Sequence, residues 1–145
     1  MTDERKRFWL TLAIRLNAAW YVSFFSVGVA DLLLHLDLGP WINCRVKWGS
    51  NGEAYELMFC ALYIPWGVFL WRAARDPWKN ATFLDFTVAA GAAHFGTMFF
   101  ESLIIPGEHP HLSGDVLAFS TLLLLLAVTW LPARRRGPMS SAGSA

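Results

Sequence analysis

The chain has 145 residues, of which 55% are apolar and 16% charged, and its net charge is +1. Soluble domains carry about a quarter charged residues, so a mean hydropathy of +0.38 argues against a water-soluble globule. Its Lys and Arg fall in short clusters rather than along one stripe, which removes support for nucleic-acid binding.

Four long apolar runs divide the chain. A bilayer core about 30 Å thick needs about 20 apolar residues per helix. The runs therefore predict an all-α, four-helix transmembrane bundle. Residues 1–7 form a cytoplasmic N-terminus, 8–133 the membrane domain and 134–145 a disordered cytoplasmic tail. Within the membrane domain the spans fall at about 8–37, 54–73, 82–105 and 115–132.

Charge sets the orientation. Arg5, Lys6 and Arg7 precede span one; Arg72, Arg75 and Lys79 surround the connection between spans two and three; Arg134, Arg135 and Arg136 follow span four. Only Arg45 and Lys47 occupy the remaining connections. This alternation places both termini inside by the positive-inside rule. Trp9, Trp71, Trp78 and Trp130 then fall near the inner boundary, and Trp41 and Trp48 near the outer one, as amphipathic indoles favour.

Span one has a basic start like a secretory signal, but its apolar stretch is about twice a 7–15-residue signal core. It reads as a retained anchor helix. Arg15 snorkels to the inner surface, and Asp31 and His35, four apart, share a face near the outer end. Cys44 in the following outer loop, where a disulfide could form, and Cys60 in span two read as two unrelated packing cysteines. Pro65 in span two predicts a kink.

Span three is rich in small residues (Ala89, Ala90, Gly91, Ala92, Ala93 and Gly96), which predicts the central helix of a tight bundle. Asp85, one turn in, is expected to pair with Lys79 or Arg72. His94 and Glu101, seven apart, share a face with Thr87 and Met98. Span four, with unbroken leucines at 122–126, reads as lipid-facing.

Ionisable residues inside spans are functional suspects. All four histidines and seven acids (Asp31, Asp37, Glu53, Glu56, Glu101, Glu108 and Asp115) fall at mid-depth or in the outer half. The candidate polar cluster is Asp31, His35, Glu56, His94, Glu101, Glu108, His111 and Asp115. In the folded bundle His94 and Glu101 are expected to meet Glu56 or Asp31. Carboxylates with imidazole suit a transition metal, best held by His94, Glu101 and Glu56, or a proton or small solute. The plainer alternative is that the outer acids are solvated and His94 and Glu101 make one interhelical hydrogen bond. An enzyme is the weakest reading. No phosphate loop or cofactor fingerprint is present, and Ser102 lies about 100° around the helix from Glu101. No cofactor is identifiable.

Residues 55–115 resemble a bacterial family of small four-helix integral membrane proteins of uncharacterised function, near the BphX-like proteins. The matching pieces are Tyr55-Glu56-x-Met58, Tyr63, Gly67-Val68-Phe69-Leu70, Ala73-Ala74-Arg75-Asp76-Pro77 and Phe86-Thr87. His94 and Met98 follow, then Glu108-x-x-His111-Leu112-x-Gly114-Asp115. The resemblance implies a multi-pass protein of the bacterial inner membrane and assigns no reaction. Its pattern coincides with the polar cluster at Glu56, His94, Glu108, His111 and Asp115. The function expected is binding or transport of a small solute, proton or metal at an outward-facing site. An accessory or assembly role without a ligand is the alternative. The expected partners are the lipid bilayer and either a second copy of the chain or another membrane protein.

Overall fold

The structure, a computed structural model, describes residues 2–36, 38–47 and 53–137, with 53–55 described by backbone alone. Asp37, Trp48, the Glu53 side chain and 138–145 of the expected tail lie outside the described residues.

The regular structure of the described residues is helical: α1 Asp3–Leu34, α2 Pro40–Val46, α3 Glu53–Ala73, α4 Ala81–Ile104, a short 3-10 helix His109–Ser113, and α5 Asp115–Arg136. Three of these, α1, α4 and α5, are long and apolar enough to cross a membrane.

Helix α1 starts where Thr2 accepts a hydrogen bond from the Arg5 N–H, with Asp3 and Glu4 in the first turn. A hydroxyl cap and early acids satisfy the free N–H groups and the helix dipole. It ends at His35, whose backbone is left-handed (φ 48°, ψ 49°) and whose N–H bonds back to the Asp31 carbonyl. Span one therefore stops short of residue 37. His35 is exposed and no longer shares a face with Asp31, because that face exists only while the helix continues.

Helix α1 packs along α3 and α5, and α5 packs along α4. The core runs from Leu10, Ile14 and Tyr21 through Tyr63 and Leu70 to Phe119, Leu126 and Trp130. Two expectations about the spans are corrected here. Helix α5 faces outward along its leucine run only in part: Leu124 is exposed, but Leu123 and Leu126 are buried where α5 packs on α1 and α4. Helix α4 is not the centre, since Ala89, Ala92 and Ala93 are exposed. Of its small residues Gly91 matters most, because a Cβ there would stand 2.8 Å from Leu123 Cδ1. The close seam lies instead between α1 and α3, where a Cβ on Gly67 would come within 2.9 Å of the Ala18 carbonyl oxygen. Small residues permit close approach but do not say which neighbour uses it. Pro65 lies inside an unbroken α3.

A buried amide ties α1 to α5: Asn17 Nδ2 donates to the Leu122 carbonyl at 2.8 Å and to its own helix at Ala13, 2.9 Å.

The basic clusters gather at one end of the bundle. Arg15 lies over the Trp71 ring at 5.7 Å, joining the start of α1 to the end of α3. Asp85 at the start of α4 accepts from Trp130 Nε1 at 2.7 Å and pairs with Arg134 Nε at 3.2 Å. Asp85 thus finds Arg134 rather than Lys79 or Arg72; Lys79 pairs with Asp76 at 3.4 Å. Trp130 is fully buried rather than part of an interfacial belt, its N–H being satisfied within the protein. Trp9, Trp41 and Trp71 are exposed. Helix α5 continues through Pro132 to Arg136, so the expected tail begins as helix.

Candidate functional site

At the end opposite the basic clusters the helices enclose a cavity of about 740 Å³. Its walls are mainly apolar and include rings from four helices: Trp20 and Phe25 from α1, Phe59 from α3, Phe95 from α4 and Phe119 from α5. Ile42 and Val46 of the short helix α2 close part of the rim. Some of these rings pack on one another. Phe25 stacks on Tyr63 at 4.6 Å between centroids, and Phe95 stacks on Phe119 at 5.1 Å.

Five members of the polar cluster line this one cavity: Asp31, Glu56, His94, Glu101 and Asp115. Lys47 joins them. Asp31 is buried, and its Oδ2 pairs with Lys47 Nζ at 2.7 Å. His94 is half-buried, with its ring 5.3 Å from Phe59, 5.7 Å from Tyr63 and 5.3 Å from Phe95. Glu56 and Glu101 are also half-buried, and Met98, on the His94 stripe, contributes to the wall. Thr87 of the same stripe is used elsewhere: it is buried and accepts from Trp66 Nε1 at 3.0 Å. Ser102 is buried and donates to the Met98 carbonyl at 2.8 Å, so its hydroxyl is engaged within the helix.

His111 and Glu108 form a second layer beside the cavity. The His111 ring is fully buried, with Nδ1 2.9 Å from Asp115 Oδ1 and Nε2 3.1 Å from Glu108 Oε2. Asp115 Oδ1 also accepts the Val116 N–H at 2.8 Å. Burial by itself would lower the imidazole's proton affinity. The hydrogen bond and charge of Asp115, the charge of Glu108 and the Lys47 backbone outweigh it, so the ring titrates above the ordinary histidine value. A doubly protonated ring donates to both carboxylates. The local sequence explains this arrangement: the 3-10 turn carries Glu108 and His111 three apart, and the start of α5 adds Asp115 one turn on.

Gly114 fastens this layer to α2. A Cβ there would overlap the Arg45 backbone carbonyl, so only glycine lets the loop lie against the end of that helix. His35 and His109 are exposed and lie outside both layers.

Among the described residues no group of three or more His, Cys, Asp or Glu is placed to hold a metal ion. That finding leaves the metal reading of Glu56, His94 and Glu101 without geometric support. The arrangement suits an amphipathic guest: rings for an apolar body, and carboxylates, an imidazole and an ammonium for a polar end. Sequence reasoning missed Lys47 as a partner and the aromatic walls. Lys47 had a signal, being one of only two basic residues at the acid-rich end.

No curated protein and no solved structure gives a significant match to the chain. A family model does match, over residues 18–142, which is most of the sequence. The chain belongs to that family, DUF6632, a family of unknown function.

Proposed function

We propose that the protein crosses a bacterial inner membrane four times, with both termini in the cytoplasm, and holds a small amphipathic solute in the cavity at its outer end. The observation that carries this reading is the convergence of Asp31, Glu56, His94, Glu101 and Asp115 on one aromatic-walled space.

Continuity of the chain supports the fourth span. Asp31 near the end of α1 shares a cavity with Asp115 at the start of α5, whereas Asp85 near the start of α4 pairs with Arg134 at the end of α5, so the end of α1 and the start of α4 lie at opposite ends of the bundle. The chain must cross between them, and α3, with 21 residues, is the helix available. At 1.5 Å per residue it is about 32 Å long, enough for a bilayer core. The nine basic residues at the end away from the cavity support a cytoplasmic assignment for that end. The bacterial inner membrane rests on the resemblance within residues 55–115.

Native mass spectrometry of gently extracted protein tests the solute reading. A bound small molecule is expected, lost or weakened in a His94→Ala, Glu101→Ala double variant. Protein that carries no small molecule and instead retains a partner polypeptide would favour the accessory reading.

A further inference from the structure

Asp31 is 7% exposed, and only one of its two carboxylate oxygens is used. Oδ2 takes Lys47, whereas Oδ1, equally hidden, accepts no hydrogen bond from the described residues. Asp31 lines the cavity, so an occupant can supply the donor that Oδ1 lacks once the carboxylate turns toward it. A buried acceptor left without a donor is costly, and the cost grows as the surroundings become less polar.

The rest of the lining narrows the donor's chemistry. With Asp31 paired to Lys47 and Asp115 to His111, the lining still carries Glu101 as a further acid, and Lys47 is its one lysine. Trp20, Phe25, Phe59 and Phe119 also line it, and an aromatic ring attracts a cation that reaches its face. A bare metal ion finds no ligand set among the described residues. A quaternary ammonium has no N–H for Oδ1. We infer that the guest is an organic ammonium that keeps at least one N–H, with its nitrogen at Asp31 Oδ1 and an aromatic or alkyl body among the rings. This assignment rests on the solute-binding reading above and deepens it.

Trp20 sets the depth of the site. It lies eleven residues before Asp31 on α1, about 16 Å along the axis at 1.5 Å per residue. The body of the guest therefore lies along the helix, inside the bilayer, with only its amine near the outer surface.

Saturable binding to the full chain in lipid nanodiscs, corrected for empty nanodiscs, tests this. Three probes share one body: 2-(naphthyl)ethylammonium, 2-(naphthyl)ethanol and naphthylacetate. The ammonium should bind at least about tenfold more tightly than the alcohol, as a charge-assisted hydrogen bond requires, and the acetate most weakly. Asp31→Asn should erase the preference. Lys47→Met, which removes the competing cation, should increase it; this variant decides the matter if Asp31→Asn fails to fold. Saturable binding of alcohol or acetate with no preference for the ammonium overturns the ligand class while leaving the cavity reading intact. Absence of saturable binding by all three overturns both.

Discussion

His111 and Asp115 sit one helical turn apart, with Nδ1 and Oδ1 separated by 2.9 Å in a pocket that excludes solvent from both. Glu108 closes on the other ring nitrogen at 3.1 Å, so one imidazole holds together the loop before α5 and the first turn of that helix.

Removing the ring is therefore expected to cost more than a surface contact would. His111→Ala breaks a buried ion pair by removing one member, a loss of about 3–5 kcal/mol. Thermal unfolding in nanodiscs, followed by tryptophan fluorescence, measures it. A change in midpoint no larger than that of an exposed control such as His109→Ala would contradict the role given to this pair.

The same pair makes stability depend on pH. The folded-state value of His111 lies above its ordinary 6.5. The bound proton therefore stabilises the fold fully below about pH 6.5, and that contribution is lost as pH rises through the higher folded-state value. The unfolding midpoint should decline over that alkaline window. His111→Gln should flatten the decline, and an identical slope in the variant would show that another group is responsible.

Gly114 predicts a steric effect. A Cβ there meets the backbone of Arg45, which cannot rotate away as a side chain would. Gly114→Ala should destabilise by about 1–3 kcal/mol, and Gly114→Val by more, whereas Gly96→Ala should be close to neutral because nothing lies within 4 Å of a Cβ built there. Parallel unfolding curves of the three variants check the ranking.

What could be read from the sequence follows the physics of each signal. The apolar runs and the alternation of charge depend on the bilayer alone, so α1, α4 and α5 emerge as long apolar helices. Which helix lies in the middle does not emerge, because leucine suits lipid and protein interior equally. Leu123 and Leu126 were therefore assigned to lipid although they are buried, and the alanines of α4 were assigned to the core although Ala89, Ala92 and Ala93 are exposed. Within the polar cluster, Glu108, His111 and Asp115 were visible because their spacing is local. The pairing of Asp31 with Lys47, sixteen residues on, depends on how α2 folds back over the cavity, and no periodicity encodes that. His35 was misjudged for a local reason, since the helix ends at that residue in a left-handed turn.

At the opposite end, Asp85 has two roles that substitution can separate. Its Oδ2 contact with Arg134 is substantially exposed, and such pairs contribute about 0–1 kcal/mol. Its Oδ1 contact satisfies the indole of the fully buried Trp130, and an unsatisfied buried donor costs about 1–3 kcal/mol. Asp85→Asn, which retains an acceptor oxygen, should be mild, and Asp85→Ala should be clearly worse. Equal midpoints for the two variants would mean that the indole does not need this partner.

Orientation has a native reporter in Cys44. It lies exposed on α2, at the cavity end, whereas Cys60 is buried. If that end faces outward, a membrane-impermeant maleimide added to intact cells should label the wild-type chain. Cys44→Ser should abolish the signal and Cys60→Ser should leave it unchanged. A cysteine placed at Arg136, at the end of α5 beside the basic cluster, should react only after the cells are opened. The two sites mark opposite ends of the bundle, so labelling of both in intact cells would contradict the membrane-spanning arrangement. Labelling of the Arg136 position alone would invert the assignment and turn the acid-rich cavity toward the cytosol.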